Sequence, residues 1–369
     1  MLAAAAGASL AFGHGPAQAS PFGELAGPGE KLTISAAKHE DGTPGHIRNL
    51  IGPDGGVGAF TAEGFPVHLH SPRIDLKALK LDYDGETGII DAAGDVELAR
   101  EGVYARSGEM LYNAETGEIT FLDSPEVEQL EEGQYTRFWG MDRLYLTQNE
   151  DGSTEIRLVG GEEIHCDFLP ASQAPERLLA SAGSRNPGEE GGNGGGQLGA
   201  LGDELRITTR AGSGGEEPTV LINTTAEGEL KLFRAEGAVS LDGDDLRLRS
   251  DVLEFDGQRE RLEALHDVYV MRDNIEADCG RLQYDLPTET ITLTINPIVR
   301  LDQDTQYLVI SNLDMYRIIR NPDGTTTTDA VGDQPTYEIE EKTPPPDEPE
   351  DTSPVEIQID SEEDIERIR

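Results

Sequence analysis

Apolar residues recur at fixed offsets before four aromatic positions of the chain. Counting back from Tyr83, Tyr112, Phe255 and Tyr284, apolar side chains stand nine, seven, two and zero places away. The sets are Ile74, Leu76, Leu81 and Tyr83; Val103, Ala105, Met110 and Tyr112; Leu246, Leu248, Leu253 and Phe255; and Ile275, Ala277, Leu282 and Tyr284. A regular strand alternates its side chains between two faces, so the odd step inside each set would send the first pair to one face and the second pair to the other. Four units with the same slip predict a bulge or corner near Gly108 and Gly280 that turns both pairs toward one interior. The segment Thr290 to Ile295 (TITLTI) alternates strictly, which predicts Ile291, Leu293 and Ile295 facing inward and the threonines facing solvent.

The units form a repeat. Both aromatic pairs are 29 residues apart, and ADCGRLQYDLPTETITL (Ala277 to Leu293) matches ARSGEMLYNAETGEITF (Ala105 to Phe121) at six of seventeen positions. Between the aromatics lies a second signature, AAGDV (Ala92 to Val96), AEGAV (Ala235 to Val239) and LHDV (Leu265 to Val268). A degenerate third unit closes each half, with PEV (Pro125 to Val127) and NEDG (Asn149 to Gly152) in one, and PIV (Pro297 to Val299) and NPDG (Asn321 to Gly324) in the other. Repeats of this period stack on each other to share one core. Strands that turn a corner and pass between two packed sheets point to an all-β jelly roll or folded meander.

Composition divides the chain further. Residues 170–204 are rich in Gly, Pro, Ala and Ser, as a flexible linker is, and residues 333–369 read as an acidic, Pro-rich disordered tail. Two β modules remain, 30–169 and 205–332. Residues 1–19 are small and apolar and end in Ala17-Gln18-Ala19, the shape of a signal peptide without its basic start. A net charge of -43 argues against nucleic acid as a partner. Cys166 and Cys279 stand one in each half, and pairing is open to an exported protein. Ser107 takes the place of Cys279 in the earlier unit, so the repeat needs no thiol there, and both cysteines read as half-buried small residues.

The segments Ala235 to Asp256, Glu276 to Asp285 and Ala92 to Ile119 carry A-x-G-x-V, then A-x-x-L-x-Y-D, a turn and an isoleucine. This pattern resembles the OstA-like family of periplasmic lipopolysaccharide-transport proteins. The resemblance implies two tandem bent antiparallel β-jelly-roll modules, export to the periplasm, and an apolar groove for acyl chains of lipopolysaccharide or another envelope lipid. It also implies edge-to-edge stacking of the chain with itself or with similar proteins. Groove candidates are Leu76, Leu81, Tyr83, Ala105, Met110, Tyr112, Leu248, Leu253, Phe255, Ala277, Leu282 and Tyr284, the aromatics among them reading first as core.

Catalytic chemistry has no foothold in the sequence. No Ser/His/Asp or Cys/His arrangement stands out, and no cofactor is implied. His68 and His70 place two imidazoles on one strand face, as a metal site requires, but no third ligand is evident, so no metal is expected. Asp82/Asp84 and Asp244/Asp245 sit beside turns, where Asp is favoured without any metal. Gly191 to Gly196 lacks the Lys-Ser/Thr and helix of a phosphate loop. The expected function is a lipid carrier or bridge; the alternative is a structural β-repeat envelope protein or adhesin with a filled core.

Overall fold

The computed structural model describes residues 33–51, 57–71, 74–100, 102–113, 115–131, 134–149, 151–181, 204–226, 229–244, 246–303, 306–323 and 325–341. It is all-β. The chain begins with β1 (Thr33–Ala36) and β2 (His46–Ile51). Four long strands follow: β3 (Val57–His70), β4 (Ile74–Asp84), β5 (Ile89–Arg100) and β6 (Val103–Asn113). The middle consists of short strands, β7 (Glu118–Leu122), β8 (Glu126–Glu131), β9 (Gln134–Trp139), β10 (Arg143–Gln148), β11 (Thr154–Val159), β12 (Glu163–Pro170), β13 (Leu205–Arg210) and β14 (Thr219–Thr224). A second long set, β15 (Leu230–Asp242), β16 (Leu246–Asp256), β17 (Arg261–Arg272) and β18 (Ile275–Asp285), comes next. The last six are β19 (Thr290–Thr294), β20 (Ile298–Gln303), β21 (Gln306–Ser311), β22 (Met315–Arg320), β23 (Thr326–Val331) and β24 (Thr336–Glu341).

The pairing reveals one plan. β7 pairs with the C-terminal half of β6 and β8 with its N-terminal half, so β7 and β8 are two halves of one bent strand. The same split runs through β10 on β7 and β9 on β8, and then through β11 on β10 and β12 on β9. Every bent strand therefore crosses from a first sheet to a second through a corner, and the next one crosses back. The corners line up as a spine. The hairpin turns lie at the far margins of the two sheets, which form two lips.

The corners have a common physical cause. In β5 and β6 the register jumps between Ala93 and Val96, leaving Gly94 and Asp95 opposite the single residue Gly108. In β17 and β18 it jumps between Leu265 and Val268, leaving His266 and Asp267 opposite Gly280. Two residues against one is a β-bulge, which bends the strand and re-aims the side chains beyond it. All four extra residues have positive φ, from 44° to 79°. The AAGDV, AEGAV and LHDV signatures are these bulges. The PEV and PIV motifs follow the equivalent bends at Asp123-Ser124 and Ile295-Asn296, again at positive φ.

The glycines at the predicted corners are required by close approach. A Cβ on Gly108 would lie 2.6 Å from Asp123 Cβ, and one on Gly280 would lie 2.7 Å from Ile295 Cγ2. Their amides donate to the carbonyls of those same neighbours, at 3.2 and 3.0 Å. Ile295 itself departs from expectation. It leaves β19 at φ 67° and is 59% exposed outside the spine, because the corner breaks the alternation that Ile291 and Leu293 obey.

The lips repeat as well. The residue after each aromatic, Asp84, Asn113, Asp256 or Asp285, accepts a backbone N–H two or three places on at 2.8 to 3.2 Å and so closes the hairpin. Asn149 and Asn321 open matching turns, each donating its amide to the carbonyl four residues on at 2.8 Å.

The two halves are joined edge to edge. β11 pairs with β14 from Thr154↔Thr224 to Val159↔Thr219, and β12 pairs with β13 from Glu163↔Arg210 to Phe168↔Leu205. Both sheets thus continue across the seam, and one apolar cluster extends from Phe60 to Ile318. The segment read as a linker begins as folded structure. Ala171–Gln173 is a 3-10 turn and α1 (Glu176–Ser181) buries Leu178 against Tyr135, Leu169 and Ala174 on the outer face of the second sheet. Arg177 pairs there with Glu128, a carboxylate 2% exposed that also accepts from Tyr135 Oη at 2.8 Å. The expected tail likewise begins as strand, since β24 pairs with β21. The leader, residues 182–203 and residues 342–369 lie outside the described residues.

Gly280→Ala is expected to destabilise the protein by about 1–3 kcal/mol in urea unfolding. An Ile295→Gly background should recover most of that loss. Equal losses in both backgrounds would show that Ile295 is not what excludes the Cβ.

Candidate functional site

The twelve groove candidates all face the interior, and none is more than 7% exposed. The slip in each set is absorbed at a corner, so both pairs of every unit point inward. They pack in rows that alternate large and small residues across neighbouring strands. One row reads Ala62, Leu81, Ala92, Met110 and Phe121; its counterpart in the second half reads Ala235, Leu253, Ala264, Leu282 and Leu293. The aromatics form the next row toward the lip of the first sheet, with Phe60, Tyr83, Ile90, Tyr112 and Ile119 in one half and Phe233, Phe255, Leu262, Tyr284 and Ile291 in the other. Such rows fill the space between sheets. Leu248 also lines a mainly polar pocket with Arg247, Arg249 and Tyr269, and of the twelve candidates Ala105 is the one that lines an apolar cavity of the interior.

That volume lies near the middle of the chain, where sequence offsets are weakest. Ala105, Phe121, Phe138, Leu144, Leu146 and Ile156 are among the side chains around an apolar cavity of about 10 Å³, which is room for about one water molecule. The interior changes character one position nearer the lip of the first sheet. Gln148 follows Leu146 by two on β10, Thr154 precedes Ile156 by two on β11, and Thr224 pairs with Thr154 across the seam. Gln148 Oε1, Thr154 Oγ1 and Thr224 Oγ1 are all buried without a hydrogen-bond partner. Gln129 adds a buried amide side chain to the cavity wall from the second sheet. Unpaired buried oxygens of this kind cost about 1–3 kcal/mol each. Three of them in one row above an apolar void form a polar collar.

The lips also touch farther along. Arg272, the last residue of β17 in the second sheet, points inward and places its guanidinium 5.2 Å from the ring centre of Tyr284 in the first sheet. A cation over an aromatic face at that distance is attractive by about 0.5–2 kcal/mol. The contact bridges the mouth between the two sheets.

The remaining sequence candidates are resolved by their surroundings. Asp84 closes its turn, and Asp82 takes an ion pair from Lys80 at 2.5 Å. Gly191 to Gly196 lie outside the described residues. His68 and His70 share the outer face of β3, and the structure supplies the third group that the sequence did not reveal, Asp75 on β4. Cys166 and Cys279 are both free and buried rather than half-buried, Cys166 completely and Cys279 with 8% of its surface exposed. They sit on β12 and β18, and the bent strands between them, at ~4.8 Å each, put them far beyond disulfide reach. Burial pushes both thiols up, Cys279 to about 11.

Comparison with protein-family models and with curated proteins gives no match for this chain. Among the described residues no helix is long and apolar enough to cross a membrane.

Two outcomes follow for the thiols. In the native protein at pH 8 neither should react with a thiol reagent within minutes, and both should react fully in denaturant. Rapid labelling of either one in the native state would contradict the burial described.

Proposed function

We propose that the protein holds an envelope lipid of the lipopolysaccharide class between its two sheets and serves in the periplasm as a carrier or bridge toward the outer membrane. The observation that carries this reading is the polar collar of Gln148, Thr154 and Thr224, whose first two members stand two residues along β10 and β11 from Leu146 and Ile156 of the apolar cavity wall. Unpaired oxygens at that depth are costly in a purely structural core, whereas an amphiphile supplies a polar head for the collar and acyl chains that enlarge the space beneath it once the lips part. Acyl chains leave water at roughly 0.8 kcal/mol per CH₂, so no catalytic group is needed to hold them. Covalent continuity at the spine alone supports the same reading. Moving the lips apart breaks packing and the Arg272–Tyr284 contact but no strand ladder. The resemblance to the OstA-like family points the same way, and the apolar inner face of β24, with Tyr337 58% and Ile339 68% exposed, suits an edge that receives a further module.

The small size of the cavity favours a second reading, a structural spine with a filled core. The two are separated by photo-crosslinking. A benzoylphenylalanine at Leu146 should capture lipid in the native envelope, and one at Tyr145, the next residue on the outer face of β10, should not. Capture at neither position would leave the structural spine as the better account.

The collar makes an additional prediction. Replacing Thr154 and Thr224 together by Val should stabilise the lipid-free protein by about 1–3 kcal/mol in urea unfolding, and weaken binding of lipid or of an apolar fluorescent probe. A loss of stability would show that the hydroxyls are satisfied within the fold.

A further inference from the structure

The outer face of β3 carries a His-x-His pair. Val67 and Leu69 turn inward, so His68 and His70 emerge together on the solvent side. The β3–β4 hairpin then sets His70 opposite Asp75 and His68 opposite Lys77. This register brings one carboxylate oxygen, Asp75 Oδ2, to 2.9 Å from His68 Nε2 and 3.0 Å from His70 Nδ1. One ligand atom from each of the three residues lies within 4.8 Å of the others, and the imidazole rings are 5.6 Å apart, tilted by 47°. A tetrahedral ion with bonds of ~2.0–2.1 Å holds its ligand atoms ~3.3 Å apart, so these three need only small side-chain rotations to surround one.

We propose that His68, His70 and Asp75 form a binding site for a divalent transition-metal ion of the zinc class, with its remaining position open to water. Two nitrogen donors and one carboxylate select such an ion over calcium or magnesium, which prefer all-oxygen shells. The half-exposed side chains, 35%, 56% and 35%, leave a path for entry. Lys77 is the nearby cation that would oppose an ion, and its ammonium is drawn off to Glu97 at 3.7 Å on β5. The net charge of -43 raises the local concentration of cations around the whole molecule. The site bridges β3 and β4 close to the N-terminal edge of the sheets, so the ion fastens the β3–β4 hairpin on its outer side. It is independent of the lipid interior.

Isothermal titration of the full chain with Zn²⁺, in millimolar Mg²⁺ to occupy the acidic surface, tests the site. The expected result is one zinc ion per chain at micromolar affinity, weakened at least about tenfold by His70→Gln and by Asp75→Asn. Co²⁺ in place of zinc should give visible absorption bands of a four-coordinate site, lost in the same variants. Thermal unfolding without metal should be unchanged, since His70 is exposed, and this separates loss of the site from loss of the fold. Absence of zinc binding in the full chain, or binding that survives the His68→Gln/His70→Gln double variant, would overturn the proposal.

Discussion

A β-strand has a side-chain period of two, and the apolar sets of this chain break it by one step inside every unit. That mismatch is the constraint on which the rest of the structure depends. A flat strand would expose half of each set, so burial of all four apolar positions demands a bend, and the extra residues at Gly94-Asp95 and His266-Asp267 supply it. Repeated in strand after strand, the bends align into a spine. Two sheets then face each other across one apolar interior, joined covalently on one side only.

The repeat made the bend legible because its chemistry is local. Gly108 and Gly280 are glycine for a reason that lies in the neighbouring strand, yet their spacing from the aromatics already marked the corner. The seam between halves was hidden. Residues 170–204 have the composition of a linker, and composition does not reveal that β12 and β13 on either side of them pair directly, nor that Leu178 docks on the outer face of the second sheet. Ile295 was misplaced for a related reason: strict alternation along TITLTI continues in the sequence one residue past the point where the backbone turns.

The candidate site was less legible than the core. The apolar offsets correctly identified inward-facing residues, but residues that recur in every unit are those that pack the rows. The space lies among β5 to β11, and most of its wall comes from β7 to β11, where the repeat decays. The collar depends on a pairing between Thr154 and Thr224, 70 positions apart in sequence, which no local pattern encodes. Asp75 was missed as a partner of the histidines because only the hairpin register places it opposite His70. On the proposed lipid-binding reading, free oxygens in the collar exchange stability of the fold for binding.

The central claim is that the sheets are hinged at the spine and part at the lips to admit acyl chains. Arg259, in the turn between β16 and β17, stands on the lip of the first sheet, and Asp273, in the turn between β17 and β18, stands on the lip of the second. Spin labels at Arg259→Cys and Asp273→Cys, with the buried native thiols left unlabelled, report the distance between the lips by pulsed electron resonance. The account predicts that adding lipopolysaccharide or phospholipid lengthens this distance while a second pair along the spine stays fixed. A distance that does not change under lipid in excess would contradict it.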